Sequence, residues 1–259
     1  MIDIIKAQKA FKDYIKSYDI KSGKIAVKIA HIGRVTNISK EIAKKLELSK
    51  QDILLAELIG MLHDIGRFEQ ARIYNTFVDK ESINHGQYGV KILFEKNLIR
   101  KFIQEDSYDK IIYKAIINHN RPSIEKGLSE KENLHCKIIR DADKVDIYYA
   151  LTTENIQDTY SCEDMSNDII NKEVVRQFKQ EHQIDYSILK NAAETMIAHI
   201  CYVYDFNYEF ALEIVKENDY ITKLANKYKF KKEETKKAIL EVSEIAKEYI
   251  EERLEKKEE

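Results

Sequence analysis

One proline, Pro122, and seven glycines are all that punctuate this chain of 259 residues. Strands need turns, and turns draw heavily on those two residue types, so a chain this poor in both is confined to long helices joined by short connections. The rest of the composition agrees: 34% of residues are charged, and Leu, Ile, Ala, Lys and Glu are abundant. The expected fold class is all-α.

The formal net charge is -2, and no basic stripe is concentrated anywhere, so neither nucleic acid nor an anionic membrane is implied as a partner. No apolar run approaches the roughly 18 residues of a membrane span, and the first twenty residues mix charges into their apolar positions, unlike a signal peptide. Cys136, Cys162 and Cys201 are scattered and form no CxxC pair. That argues against a cysteine zinc site and suits a reducing, cytoplasmic location.

Apolar spacing of three and four predicts a helix over residues 1–20, an interruption at Ser22 and Gly23, and a second helix from Lys24 to about Leu46. On that second helix Val27, Ala30, His31, Val35, Ile38, Ile42 and Leu46 trace one face, so His31 is expected to point inward. Ser49 and Asp52 form a capping box for a third helix ending near Gly66. Arg67 to Lys80 lacks a clean period and reads as a loop, in which Arg67, Arg72 and Asp79 are placed for substrate contact. Asp79 has two further readings, as an aid to a metal site and as a cap.

A helix over 81–94 is expected to carry His85 in its first turn, and another, capped by Asp106 or Ser107, to end at His119. After a loop over 122–129 a helix resumes near Glu130 and brings Asp141, Asp143 and Asp146. Beyond Leu151 the composition turns polar. The predicted organisation is a helix over 1–24 packing on a core of 25–150, followed by a C-terminal helical region over 151–259. His135, His182 and His199 read as structural or exposed.

His31, the pair His63 and Asp64, His85, His119 and Asp143 thus fall on five separate predicted helices. Imidazole with carboxylate suits Mn, Fe, Co, Ni or Zn, and Mg where oxygens predominate. In this order, with HDIG at His63 to Gly66 and Asp143 inside IIRDADKVD, the residues resemble the HD-domain superfamily of metal-dependent phosphohydrolases. NHGQYGVKIL at His85 and INHNR at His119 resemble the two extra histidines of members that hold two metals. The resemblance covers about residues 25–150.

It implies an HD-domain helical bundle in which His31, His63, Asp64 and Asp143 hold one divalent cation. Asp64 then bridges to a second cation held by His85 and His119, so that one or two ions are bound per chain. It further implies hydrolysis of a small phosphate ester, a nucleotide above all, by a hydroxide on the metal, with Arg34, Arg67, Lys144 or Arg121 meeting phosphate oxygens. Asp141 is an alternative to Asp143 or a partner of a ligand histidine.

Departures narrow the subfamily. No GYP segment follows His119, and Arg67 and Phe68 stand where guanosine tetraphosphate hydrolases carry a Glu-Asp pair. A di-iron oxygenase of the same superfold and a non-catalytic nucleotide- or partner-binding module are the rival readings, and homo-oligomerisation is compatible with all three.

Overall fold

The computed structural model describes residues 2–20 and 23–255. Among these there is no strand, and the fold is all-α. The chain divides into two compact units, Met1–Asp143 and Lys144–Glu259.

The N-terminal unit begins with α1 (Ile4–Ile15), capped by the Asp3 carboxylate on the Lys6 amide. The interruption expected at Ser22 lies outside the described residues, and α2 (Gly23–Lys45) follows it. Next come α3 (Lys50–Leu62), α4 (Ile65–Tyr74), α5 (His85–Val90), which runs into a π-helical turn at Lys91–Glu95, α6 (Ile99–Phe102), α7 (Asp109–Asn118) and α8 (Glu130–Thr153). The division between units falls within α8.

The α2–α3 pair forms the centre of this unit, with Ile32, Val35 and Ile42 buried on one side and Leu55, Leu58 and Leu62 on the other. Each such side chain contributes about 1.5–3 kcal/mol by leaving water. The helices approach closely at Gly60, where an added Cβ would stand 2.8 Å from the Thr36 Cα. The buried face of α2 is rotated from the expected one. Val27 is 37% exposed and Ala30 is exposed, while Ile25, Ile32 and Ser39 are buried. The expected capping box is present: the Ser49 hydroxyl accepts from the Asp52 amide and donates to its carboxylate at 2.6 Å.

The segment read as a loop over 67–80 is helical as far as Tyr74. Its periodicity is obscured because the inward positions are chemically mixed: Phe68 packs on Phe11, Tyr14 and Tyr18, whereas the buried Gln70 faces a polar network. The following helix starts at His85 rather than Glu81, because Asp79–Glu81 forms a 3₁₀ turn and Asn84 caps α5 at the Gln87 amide. Likewise α7 starts at Asp109 with no side-chain cap, later than Asp106 or Ser107 would set it.

The C-terminal unit comprises the end of α8, α9 (Ile156–Tyr160), α10 (Lys172–Gln180), α11 (Ala192–Ile200), α12 (Glu209–Glu217), α13 (Tyr220–Lys227) and α14 (Glu233–Glu255). Along α14, Ile239, Val242, Ala246 and Ile250 form a narrow buried stripe against α10 to α13. Its acidic tip, where fraying was expected, lies outside the described residues. No helix among the described residues is long and apolar enough to cross a membrane.

Candidate metal centre

Helix ends build this site. His63 is the C-cap of α3, Asp64 the N-cap of α4, His85 the first residue of α5 and His119 the C-cap of α7. Only His31 and Asp143 project from helix interiors. Four side chains leaving helix termini can converge where four helix bodies could not. Gly66 permits this convergence, since a Cβ there would stand 2.3 Å from the His85 carbonyl oxygen and 2.8 Å from the Gly89 nitrogen.

All six residues expected as ligands come together. His31 Nε2 lies 3.3 Å from His63 Nε2, 3.5 Å from Asp64 Oδ2 and 3.3 Å from Asp143 Oδ1. His63 Nε2 lies 3.8 Å from each of the same two carboxylate oxygens. On the other side of Asp64, Oδ1 faces His85 Nε2 at 3.4 Å and His119 Nε2 at 3.7 Å, and those two nitrogens are 3.0 Å apart. Asp64 therefore turns one oxygen to each histidine pair. His63, Asp64, His85 and His119 are all at most 5% exposed.

The distal nitrogens fix the tautomers. His63 Nδ1 lies 2.7 Å from the Gly60 carbonyl, His119 Nδ1 lies 2.6 Å from the Ile116 carbonyl and His85 Nδ1 lies 2.7 Å from Asp79 Oδ2. A carbonyl or carboxylate can only accept, so each Nδ1 carries the proton, and in a neutral ring Nε2 then turns its lone pair inward. Burial lowers the pKa of His63 to about 4, and burial with the nearby Arg67 guanidinium lowers His85 to about 4, so both imidazoles are neutral at pH 7.

Lone pairs facing each other at 3.0 Å repel unless a cation lies between them. Two nitrogens held about 2.1 Å from one ion at a right angle are themselves about 3.0 Å apart, which is the spacing found. Asp64 Oδ1 is buried and accepts no hydrogen bond. The donor set fits divalent cations: His31, His63 and Asp64; His63, His119 and Asp143; and Asp64, His85 and His119 each form a group within 4.8 Å able to hold one.

Cations flank the carboxylates. Lys28 Nζ is 2.8 Å from Asp64 Oδ2 and 5.6 Å from the centre of the Phe77 ring. Burial opposes the Asp64 charge, but Lys28 and His63 outweigh it and hold the carboxyl well below its usual range. Burial also opposes the charge on Asp143, and His31 with His63 depresses its pKa. Arg67 donates through one nitrogen to Gln70 at 2.7 Å, to the Phe77 carbonyl at 2.6 Å and to Asp79 Oδ1 at 2.9 Å, with Nε 3.6 Å from Asp64 Oδ1. The structure thus ties Arg67 to the protein around His85.

Among the other residues singled out, Arg34 is half-exposed one turn beyond His31. Arg121 pairs with Glu125 at 2.6 Å. Lys144, the first residue of the C-terminal unit, lies 2.7 Å from Asp205 and over the Tyr202 ring. Arg72 pairs with Glu69 at 2.5 Å and is exposed. Asp141 is fully buried.

Two residues near the ligands escaped the sequence reading. Lys28 carries the one signal that could have found it, its position three residues before His31 on the same helix. Arg140, buried in α8, donates to the carbonyls of Asn118 and Arg121 and so holds the chain on both sides of His119. An arginine in a helix interior that reaches carbonyls at the end of another helix has no such local signature.

Fold and site together define an all-α protein with a His/Asp cluster of metal-ligand type. Residues 29–148 match the family model of the HD domain, so that segment is an HD domain, the domain type of a superfamily of metal-dependent phosphohydrolases. Comparison with curated proteins and with solved structures returns no significant match.

Proposed function

We propose that the chain hydrolyses a phosphate ester, a nucleotide or a related small molecule, in a metal-dependent reaction at this centre. The observation that carries the reading is Asp64, whose two oxygens face separate histidine pairs, with a neutral imidazole lone pair turned inward on each side from His63 and His85. His31, His63 and Asp143 with Asp64 Oδ2 would hold one cation, and His85 and His119 with Asp64 Oδ1 a second. Bound divalent ions supply charge neutralisation at phosphoryl oxygens and lower the pKa of water.

The chain's own residues do the rest. Deep burial of His63, His85 and His119 keeps bulk water from the ligand nitrogens, and neutral imidazoles need no proton removed before they bind a cation. Lys28, beside Asp64 Oδ2 and partly exposed, is placed to meet a phosphate oxygen by a charge-assisted hydrogen bond, and Arg34 is a further candidate for that role. Cations around the carboxylate favour an anionic substrate over dioxygen, which supports the hydrolase reading against the oxygenase.

Metal analysis of the purified protein, coupled to a phosphate-release screen over nucleoside mono-, di- and triphosphates and cyclic species, tests the proposal. The expected result is bound divalent metal with release from at least one class. Metal-loaded protein that releases none contradicts the activity, and iron with an oxygen-dependent spectrum points to the oxygenase.

A further inference from the structure

The Nδ1 partners of His63, His119 and His85 differ in kind. His63 and His119 donate to the neutral backbone carbonyls of Gly60 and Ile116, each in its own helix. His85 donates to a carboxylate, Asp79, at 2.7 and 2.9 Å to the two oxygens. A carboxylate on the distal nitrogen makes an imidazole a stronger base and a better metal ligand than a carbonyl does, and fixes the ring's rotation.

Asp79 is held for this purpose from outside its own turn. Arg67 Nη1 donates to Oδ1 at 2.9 Å, and the fully buried Gln70 donates to Oδ1 at 3.0 Å, to the Ser82 hydroxyl at 2.8 Å and to the Ile83 carbonyl at 3.0 Å. Asn120, beside His119, approaches Oδ2 at 3.4 Å and His85 Nδ1 at 3.3 Å, longer and weaker than the Asp79 bond. Every polar neighbour of the Asp79 carboxylate is therefore a donor.

We propose that Asp79 is a positioning residue that makes the two halves of the centre unequal, strengthening the cation site of His85 and His119 while leaving that of His31, His63 and Asp143 untouched. The inference rests on the metal-centre reading above. It gives Asp79→Asn a distinctive consequence. Arg67 cannot accept, so the amide oxygen must turn to Arg67 and Gln70 and the amide nitrogen to His85. His85 Nδ1 then becomes an acceptor and its proton moves to Nε2, where it blocks the ligand lone pair.

The test is a titration of the metal-depleted full chain with Mn²⁺, followed by calorimetry and metal analysis, for the wild type, Asp79→Asn and Asp79→Glu. Histidine side-chain nitrogen NMR is recorded on the metal-free proteins. Expected are two bound ions in the wild type and, in Asp79→Asn, one retained at unchanged affinity with the other weakened on the order of 10- to 100-fold. His85 alone should switch tautomer, and Asp79→Glu should recover part of the loss.

Two unchanged ions in Asp79→Asn, an equal weakening of both, or a single ion in the wild type each overturns this inference and leaves the metal-centre reading standing. A wild-type chain that takes up no Mn²⁺ and no other divalent ion overturns both. A thermal melt of each variant shows whether the fold is kept. Should Asp79→Asn fail to fold, Gln70→Glu provides the same reading, since it sets an acceptor against the Asp79 carboxylate and should weaken the same ion only.

Discussion

Gly66 lies directly beneath the His85 carbonyl, so close that a methyl group on residue 66 would stand 2.3 Å from that oxygen. The glycine of the HDIG tetrapeptide thus sets how near α5 can come to Asp64, and with it the 3.4 Å separation of His85 Nε2 from Asp64 Oδ1. Gly66→Ala should drive α5 outward. The contact is with backbone, which cannot rotate away, so a cost of about 1–3 kcal/mol is expected, with weaker binding at the His85 side. Chemical denaturation and metal titration of the variant check both parts.

Lys28 balances the Asp64 charge and is partly exposed, which places it to contact substrate. Lys28→Met should leave the bound metal in place while kcat/KM falls on the order of 10- to 100-fold, the equivalent of one charge-assisted hydrogen bond of about 1.5–3 kcal/mol. Steady-state kinetics with metal analysis on the same sample separates this from a ligand defect. Loss of metal together with activity would refute the substrate role.

Much of the centre was legible before any coordinates, because His31 interrupts an apolar stripe and Asp64 follows an apolar run that ends in His63. Such residues are costly to bury without a partner, so their presence in otherwise apolar patterns is informative. What hid α4 was Gln70, a polar side chain buried to satisfy the Asp79 turn, which breaks the helical period at an inward position. Lys28 was hidden for a different reason: its partner is 36 residues away, and lysines on helices are ordinarily solvated. The start of α5 was misplaced because Glu81 and Ile83 extend the apolar-polar pattern of the helix into a 3₁₀ turn and its exit.

Arg140 should matter for stability more than its distance from the ligand atoms suggests. It is 3% exposed and serves carbonyls on both sides of His119, so Arg140→Met leaves several buried acceptors unpaired. A loss of about 2–4 kcal/mol is expected, read as a lower denaturation midpoint with an unchanged slope.

His135 predicts an acid-sensitive fold independent of the metal ligands. It is 1% exposed, and burial, opposed in part by Asp52 at 3.5 Å, lowers its pKa to about 4 from 6.5. Between those pH values the unfolded chain binds a proton that the folded chain does not, so stability falls as pH drops from about 6.5 to 4, by up to roughly 3 kcal/mol. Asp52 is partly buried, yet Ser49 and Lys131 hold its pKa below the usual value. Its own contribution is therefore lost only at still lower pH, below about 3.8. His63, His85 and His199, lowered to about 4 in the same way, act over the same window, so His135→Gln should remove one group's share of the fall between pH 6.5 and 4 and leave the lower window unchanged, as followed by urea unfolding across pH.

If Asp64 joins two cation sites in one hydrolytic centre, its side chain is needed for metal and turnover alike, which metal content and phosphate release measured for the wild type and Asp64→Ala side by side will show. Divalent metal and turnover are expected in the wild type, and the loss of both in a folded Asp64→Ala protein. An Asp64→Ala protein that keeps its metal and its activity would contradict this.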